Sequence, residues 1–151
     1  MSQDRIYLVI MDETAEARLA LRFAARRAVR TGGTVHILAL VPQQDFSLFG
    51  GVQATIEQEA RDRAEVLATT SASGLASESG LRPVIAVRCG DGPKAVRDYL
   101  TEHPEIAALV LGAAPEGGPG PLVTHFIAGD LPCPLMIVPG SLTEADLDRL
   151  S

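Results

Sequence analysis

The sequence predicts a doubly wound α/β fold, in which helices cover both faces of a five-stranded parallel sheet within one domain spanning residues 1–151. Five short aliphatic runs alternate with segments of helical period along the chain. The runs show little polar alternation, which is typical of strands buried on both faces. Because parallel neighbours need long right-handed crossovers, the alternation itself predicts the parallel sheet. A chain of this length buries a sizeable core without a metal or disulfide.

The predicted strands place several candidate residues at one edge of the sheet. The five runs are Ile6–Met11, Val35–Val41, Val84–Val87, Ile106–Leu111 and Leu135–Val138. In doubly wound folds, ligands bind at the carboxyl ends of the strands, where the strand order reverses. Asp12, the Leu40-Val41 pair and Gly112 lie at those ends and are the first site candidates. His36, near the start of its strand, is interpreted as a strand-end residue rather than a ligand.

The first helix is predicted from Ala15 to Thr31, with Thr14 as its N-cap and Gly32-Gly33 at its end. One side of this helix is apolar, and another carries an arginine at every fourth position. The arginines are Arg18, Arg22, Arg26 and Arg30. Two interpretations of this stripe stay open, an anion or partner surface and a solvated helix face.

The second helix is predicted to begin at a capping box, Thr55 to Gln58, and to run toward Gly80. The preceding loop, 42–54, carries Phe46, Leu48 and Phe49. These side chains either close over a cavity or a partner, or they fold back on the core. The sequence favours neither alternative.

Turn residues define the remaining helices. The third helix begins after a turn at Gly90–Pro93 and ends at His103-Pro104. A loop rich in glycine and proline, 112–121, precedes a final core helix from Leu122 to about Leu131. In the tail, 141–151, Thr143 is predicted to cap a short helix, with Leu142 and Leu147 as a hydrophobic staple.

Composition excludes several classes of function. The formal charge of −6 argues against nucleic-acid binding, and the single lysine, Lys94, is interpreted as a compositional habit. Cys89 and Cys133 lack metal-ligand spacing, so no metal site is expected, and both are expected to be reduced and partly buried. The chain begins without a signal-peptide pattern, and no apolar run approaches the roughly 20 residues that span a bilayer. The sequence therefore predicts a cytoplasmic protein without membrane contact.

The order and spacing of these residues resemble the universal stress protein family over essentially the whole chain. The similar positions are Asp12 after the first strand, Gly92-Pro93 with Val96, Val110-Leu111-Gly112, Val123-Thr124, Ile127-Ala128, and the run from Pro132 to Pro139. No single piece is decisive, but together they form a fairly specific match.

The resemblance implies an adenine-nucleotide site that this chain has partly lost. ATP-binding members of the family carry G-x2-G-x9-G-[S/T] after the fourth strand. Here Gly112 keeps the first position, Pro115 replaces the second glycine, and Gly120-Pro121 stands where Gly-Ser or Gly-Thr is expected. Prolines supply no N–H to a phosphate, and the loop is several residues shorter than the motif. No bound cofactor is therefore expected, with ATP or AMP plus Mg²⁺ as the alternative.

The remaining contacts of such a site are also implied by the resemblance. In the family, the Asp after the first strand and the backbone at the end of the second hold adenosine, which here means Asp12 and Leu40-Val41. Gly112, Gly118 and Gly120 would form what remains of the phosphate loop. Asp12 has an alternative role in capping the first helix, which needs no ligand.

The resemblance implies a non-enzymatic stress-response protein that acts as a homodimer through Leu135–Val138 and through an unknown protein partner. An adenine-nucleotide sensor with weak or no hydrolysis is the alternative. The chain has no G-x-S-x-G elbow, no Walker A lysine and no G-x-G-x-x-G after the first strand. His125, Asp130 and Ser141 have no spacing that requires a catalytic triad.

Overall fold

A computed structural model describes residues 5–42 and 53–151, without the side chains of 42, 53 and 54. Within these residues five strands alternate with five helices, which confirms the predicted order. The elements are β1 (Ile6–Met11), α1 (Ala15–Thr31), β2 (Thr34–Pro42), α2 (Gln53–Ser79), β3 (Val84–Gly90), α3 (Gly92–Glu102), β4 (Ile106–Ala113), α4 (Pro121–Ile127), β5 (Leu135–Pro139) and α5 (Glu144–Leu150). The predictions for Phe46, Leu48 and Phe49 fall outside the described residues.

The sheet is parallel throughout, in the order β3-β2-β1-β4-β5, as the doubly wound class predicts. Val9 in the central strand pairs with Ile37 on one side and Val110 on the other. Alternate residues of β1 enter two separate cores. Tyr7, Val9 and Met11 contact the layer of α1, α2 and α5, whereas Leu8 and Ile10 contact the layer of α3 and α4. The continuous apolar runs are thus explained by burial on both faces.

Helix α1 lies unusually close to the sheet because its inward face is built of alanines. Its start is capped as predicted, with Thr14 Oγ1 accepting a hydrogen bond from the amide of Ala17 at 3.2 Å. At its end, Gly32 adopts a left-handed φ of 70°, and a Cβ on Gly33 would collide with the carbonyl oxygen of Arg5. Small residues are therefore required both along the inward face of α1 and at the turn that follows the helix.

The arginine stripe on α1 has a structural role that neither interpretation of the sequence anticipated. Arg22 donates two hydrogen bonds to the carboxylate of Asp148 in α5, both of 2.8 Å. Arg26 donates to the hydroxyl of Ser151 at 2.9 Å and lies 3.3 Å from the Asp148 carboxylate. The paired guanidinium of Arg22 holds the pKa of Asp148 below its ordinary value. Two of the four arginines thus fasten α5 to α1.

Several predicted boundaries were wrong. Helix α2 already has helical backbone at Gln53, so Thr55 lies inside the first turn and is not the N-cap. Strand β3 continues beyond Val87 to Gly90, because β2 offers it a partner as far as Pro42. Helix α4 ends at Ile127 rather than near Leu131. Gly129 follows closely, and glycine has low helix propensity.

Other local predictions are confirmed, and one surface expectation is not. Thr143 caps α5 through a bond from the amide of Asp146, as predicted, and the predicted turn before α3 contains a cap that was not predicted, Asp91, which accepts a bond from the amide of Lys94. Cys133 is half-buried, but Cys89 is exposed because β3 lies at the edge of the sheet. In the described part of the chain, none of the helices has the length and apolarity needed to cross a membrane.

Replacing Gly74 with alanine is expected to stabilise the protein. Gly74 lies inside α2 with open space around its Cα, so a methyl group meets no neighbour. Removing glycine from a helix interior stabilises by roughly 1 kcal/mol, and the melting temperature would rise by about 2–4 °C for a chain of this size. Thermal unfolding followed by circular dichroism measures the change.

Gly80→Ala is the matched control, because Gly80 has open space as well but a left-handed φ of 76°. It is expected to destabilise the protein. A lower melting temperature for Gly74→Ala would contradict the helical assignment at this position.

Candidate functional site

The carboxyl edge of the sheet contains a switch point between β1 and β4. The chain winds from β1 through β2 to β3 on one side and from β4 to β5 on the other. The β1–β4 register puts Asp12 and Gly112 at the ends of neighbouring strands. Leu40 and Val41 lie at the end of β2, on the far side of β1. The predicted residues therefore share one edge of the sheet, where ligands bind in this class of fold.

Asp12 is engaged at the start of α1. Its Oδ1 accepts a hydrogen bond of 2.8 Å from the amide of Thr14 and a second, short one from the Thr14 hydroxyl. Thr14 in turn caps α1. Of the two roles weighed for Asp12, the helix-capping one therefore has direct contacts in this structure, and the side chain is also exposed to solvent.

Gly112 lies directly under the first turn of α1. A Cβ at this position would collide with the carbonyl oxygen of Glu16. Because that atom belongs to backbone inside a helix, it cannot move away cheaply. Glycine at position 112 is therefore explained by the close approach of α1 to β4, without reference to a phosphate.

The loop between β4 and α4 has one hydrogen bond within itself, and a second hydrogen bond connects its start to the residue that follows β5. The amide of Ala114 donates to the carbonyl of Pro119 at 3.4 Å, and the amide of Gly140 donates to the carbonyl of Ala113 at 2.7 Å. Pro115 Cδ lies 2.9 Å from where a Cβ of Gly140 would stand. The loop therefore packs against the residue that follows β5.

The glycines of this loop are needed for its turns. Gly117, Gly118 and Gly120 have φ values of 77°, 93° and 103°, all in the region that side-chain-bearing residues rarely adopt. Gly120 is the N-cap of α4 and no side chain bonds to the first turn of that helix. The Thr124 hydroxyl donates back to the carbonyl of Gly120 at 2.9 Å. It therefore does not replace the hydroxyl that is missing at the helix start.

Two leucine side chains border the start of α3 beside this loop. Leu40 Cδ1 and Leu122 Cδ2 lie 3.6 and 3.7 Å from where a Cβ of Gly92 would stand. Leu40 belongs to the core under α3 and α4, whereas Val41 belongs to the core under α1 and α2. Sequence reasoning missed Gly92 and Leu122 as members of the site. Gly92 is the first residue of α3 and Leu122 the second of α4, and the starts of both helices lie at this edge of the sheet, which was the available signal.

Charge at the site is sparse and mostly paired. No lysine or arginine occurs between Arg97 and Arg149, and Glu116 adds an exposed negative charge within the loop. Lys94, near the start of α3, lies 2.7 Å from the Asp98 carboxylate. Among the described residues, no three side chains of His, Cys, Asp or Glu are placed to hold a metal ion.

Strand order, layers and the glycine-rich connection after β4 define a Rossmann-like α/β protein whose strand order reverses at the β1–β4 switch point. The model of the universal stress protein family matches residues 5–139. The chain therefore belongs to the universal stress protein family. The match ends with β5, so α5 lies beyond it.

Solved structures show the same fold. Universal stress protein UspA from Lactobacillus plantarum is 20% identical with a TM-score of 0.76, over 91% of this chain and 99% of that one. A universal stress protein from Archaeoglobus fulgidus in complex with dAMP is 19% identical with a TM-score of 0.62, over 91% and 99%. A universal stress protein in complex with cAMP is 15% identical with a TM-score of 0.59, over 89% and 96%. No curated protein sequence matches significantly.

Removing the Asp12 carboxylate tests its contacts at the start of α1. Asp12→Ala is expected to lower the free energy of unfolding by about 1 kcal/mol, since two hydrogen bonds that organise the capping turn are lost. Urea unfolding of the ligand-free protein measures this loss. Glu13→Ala is the matched control, an adjacent exposed acidic residue expected to change stability by less than about 0.5 kcal/mol. Equal stability of Asp12→Ala and the parent would assign Asp12 no role in capping.

Proposed function

We propose that this universal stress protein is non-enzymatic, works through protein contacts as a homodimer with a further protein partner, and does not bind ATP through its glycine loop. The observation that carries the proposal is the geometry of the loop between Gly112 and Pro121. Its glycines serve turns and close packing, and its prolines remove amides that a phosphate would need.

A triphosphate carries several negative charges that a site must neutralise or solvate. Phosphate loops do so with converging backbone amides, a helix N-terminus and usually a lysine or arginine. Pro115, Pro119 and Pro121 donate nothing here, and Glu116 adds like charge. Each of these features disfavours a bound triphosphate.

An adenine-nucleotide sensor is the second candidate. Structures similar to this chain are named as complexes with dAMP and with cAMP. Each of those ligands has a single phosphate, which places less demand on the loop than a triphosphate does. Asp12 and the Leu40-Val41 backbone would then hold the nucleoside, with Gly112, Gly118 and Gly120 beside the phosphate. Among the described residues, no group of three His, Cys, Asp or Glu side chains could hold Mg²⁺ in the absence of the nucleotide.

The dimer proposal rests on the position and composition of β5. This strand lies at one edge of the sheet and pairs with β4 on one side. It is apolar from Leu135 to Val138, and the Ile137 side chain is 37% exposed. An apolar edge strand is prone to uncontrolled pairing, and a two-fold related copy would cover it.

A calorimetric titration tests the nucleotide part of the proposal. Protein freed of nucleotide is titrated with ATP-Mg²⁺, with AMP and with cAMP, and no binding heat is expected for ATP. Micromolar affinity for ATP would contradict the proposal. Binding of AMP or cAMP without ATP would establish the sensor candidate instead.

A charge placed on β5 tests the dimer. Light scattering is expected to find a dimer for the parent protein and a monomer for Ile137→Lys, since a lysine at the interface must be desolvated. Ile85→Lys is the matched control, because Ile85 is 42% exposed on β3, the opposite edge of the sheet. A monomeric parent, or a dimer that only Ile85→Lys dissociates, would contradict pairing through β5.

A further inference from the structure

A hydrogen bond between a buried histidine and a buried tyrosine connects β2 to α3, at the end of the sheet opposite the candidate site. His36 is 6% exposed, and Tyr99 is 1% exposed. His36 Nδ1 and the Tyr99 hydroxyl are hydrogen-bonded at 2.7 Å. Neither residue has a role in the proposed function, yet together they form the polar contact between the middle strands and this helix.

Further titratable groups surround this pair. The ring of His103, at the end of α3, lies 4.2 Å from the Tyr99 ring and 5.5 Å from the His36 ring, centroid to centroid. His103 Nδ1 is 3.4 Å from Glu105. Towards β3, the Arg88 guanidinium lies 5.5 Å from the Tyr99 ring and pairs with Glu102 at 2.7 Å. On β1, the neighbour of His36 is the apolar Leu8.

This environment favours a neutral His36. Burial lowers the pKa of His36, the nearby His103 lowers it further, and Glu105 opposes the shift. Burial also raises the pKa of Tyr99, so the phenol stays protonated. An imidazolium at position 36 would be a desolvated charge beside a second histidine, with Arg88 adding positive charge near the same tyrosine.

We propose that His36 is a proton-operated latch that holds α3 on the sheet at neutral pH and holds it less firmly under mild acid. In the closed form His36 is neutral and bonded to Tyr99. When α3 moves away, water reaches the imidazole, which then binds a proton at its ordinary affinity. Acid therefore favours the released form, and α3 exposes the apolar side chains that it otherwise buries, Ala95, Val96, Tyr99 and Leu100.

The sign and size of the effect follow from proton linkage. A solvated histidine titrates near pH 6.5, whereas the latched one titrates lower. Above about pH 6.5 both forms are unprotonated at this site and pH has no effect. Below it the released form binds more protons, so the equilibrium constant for release rises up to tenfold per pH unit until the latched pKa is reached.

Hydrogen exchange of individual amides measures release directly. After correction for the intrinsic rate, the α3 amides, 92–102, are expected to show a larger local-opening constant at pH 5.5 than at pH 7.5, with about tenfold as the upper limit. The amides of α1, on the other face of the sheet, are expected to change much less. An equal change in both helices would mean global destabilisation and would overturn the latch.

Two variants compare His36 with an exposed histidine. His36→Gln retains a hydrogen-bonding side chain but does not titrate, so the pH dependence of α3 exchange is expected to fall sharply. His125→Gln is the control, an exposed histidine on α4 whose Nε2 lies 3.2 Å from Arg97 of α3, and it is expected to keep the dependence that His36 causes. An unchanged pH dependence in His36→Gln would overturn the proposal.

A measurement on the parent protein tests the latch without any substitution, so its result does not depend on the folding of a variant. The His36 ring is titrated by NMR through its Cε1 proton. A midpoint below 6.5 is required by the latch, and a midpoint at or above 6.5 would overturn it.

Discussion

The close approach of α1 to β1 and β4 is the constraint on which the rest of the structure depends. Alanines form the contact face of the helix, and glycines stand where backbone meets backbone, at Gly33 under Arg5 and at Gly112 under Glu16. This approach fixes the β1–α1 turn directly above the end of β4. Backbone atoms therefore form this end of the sheet, and the hydrogen bond between Asp12 and Thr14 stabilises the turn on its solvent-exposed side. A larger residue at either glycine would displace α1 and the β1–α1 turn together.

Much of the fold could be predicted because its signals are local. A strand buried on both faces yields an uninterrupted apolar run, and caps such as Thr14 and Thr143 act within three residues. Element ends were less predictable because pairing decides them. Strand β3 continues past Val87 because β2 offers a pairing partner there. The residue types at 88–90 do not by themselves predict a strand.

The candidate site was predictable only in part, for the same reason. Asp12 and Gly112 could be placed because strand ends share an edge in a parallel sheet. The proximity of Leu40 and Leu122 to Gly92 depends on the angles at which α3 and α4 cross the sheet. Side-chain packing between the helices and the sheet determines those angles. His36 was interpreted as an ordinary strand-end residue because its partner, Tyr99, lies on another element. Only the three-dimensional structure brings the two together.

Glycine content alone does not distinguish a phosphate loop from a tight turn. Both kinds of loop use glycine to reach a positive φ, and a phosphate loop also needs backbone amides that converge on the anion. Gly117, Gly118 and Gly120 have the positive φ, whereas Pro115, Pro119 and Pro121 supply no amide hydrogen. The loop therefore keeps the glycine content of the family motif and lacks three of its possible donors.

Helix α3 links the two parts of the molecule that carry the proposals. Its first residue, Gly92, stands where an added Cβ would lie 3.6 and 3.7 Å from Leu40 and Leu122, and Tyr99 near its other end is hydrogen-bonded to His36. Leu40 and His36 lie on the same strand, roughly 13 Å apart, and the helix spans roughly 10 Å between Gly92 and Tyr99. One helix therefore lies beside β2 both at the candidate site and at the buried histidine. The acid release proposed for α3 would separate Gly92 from Leu40 as well as Tyr99 from His36, because both contacts lie on that helix.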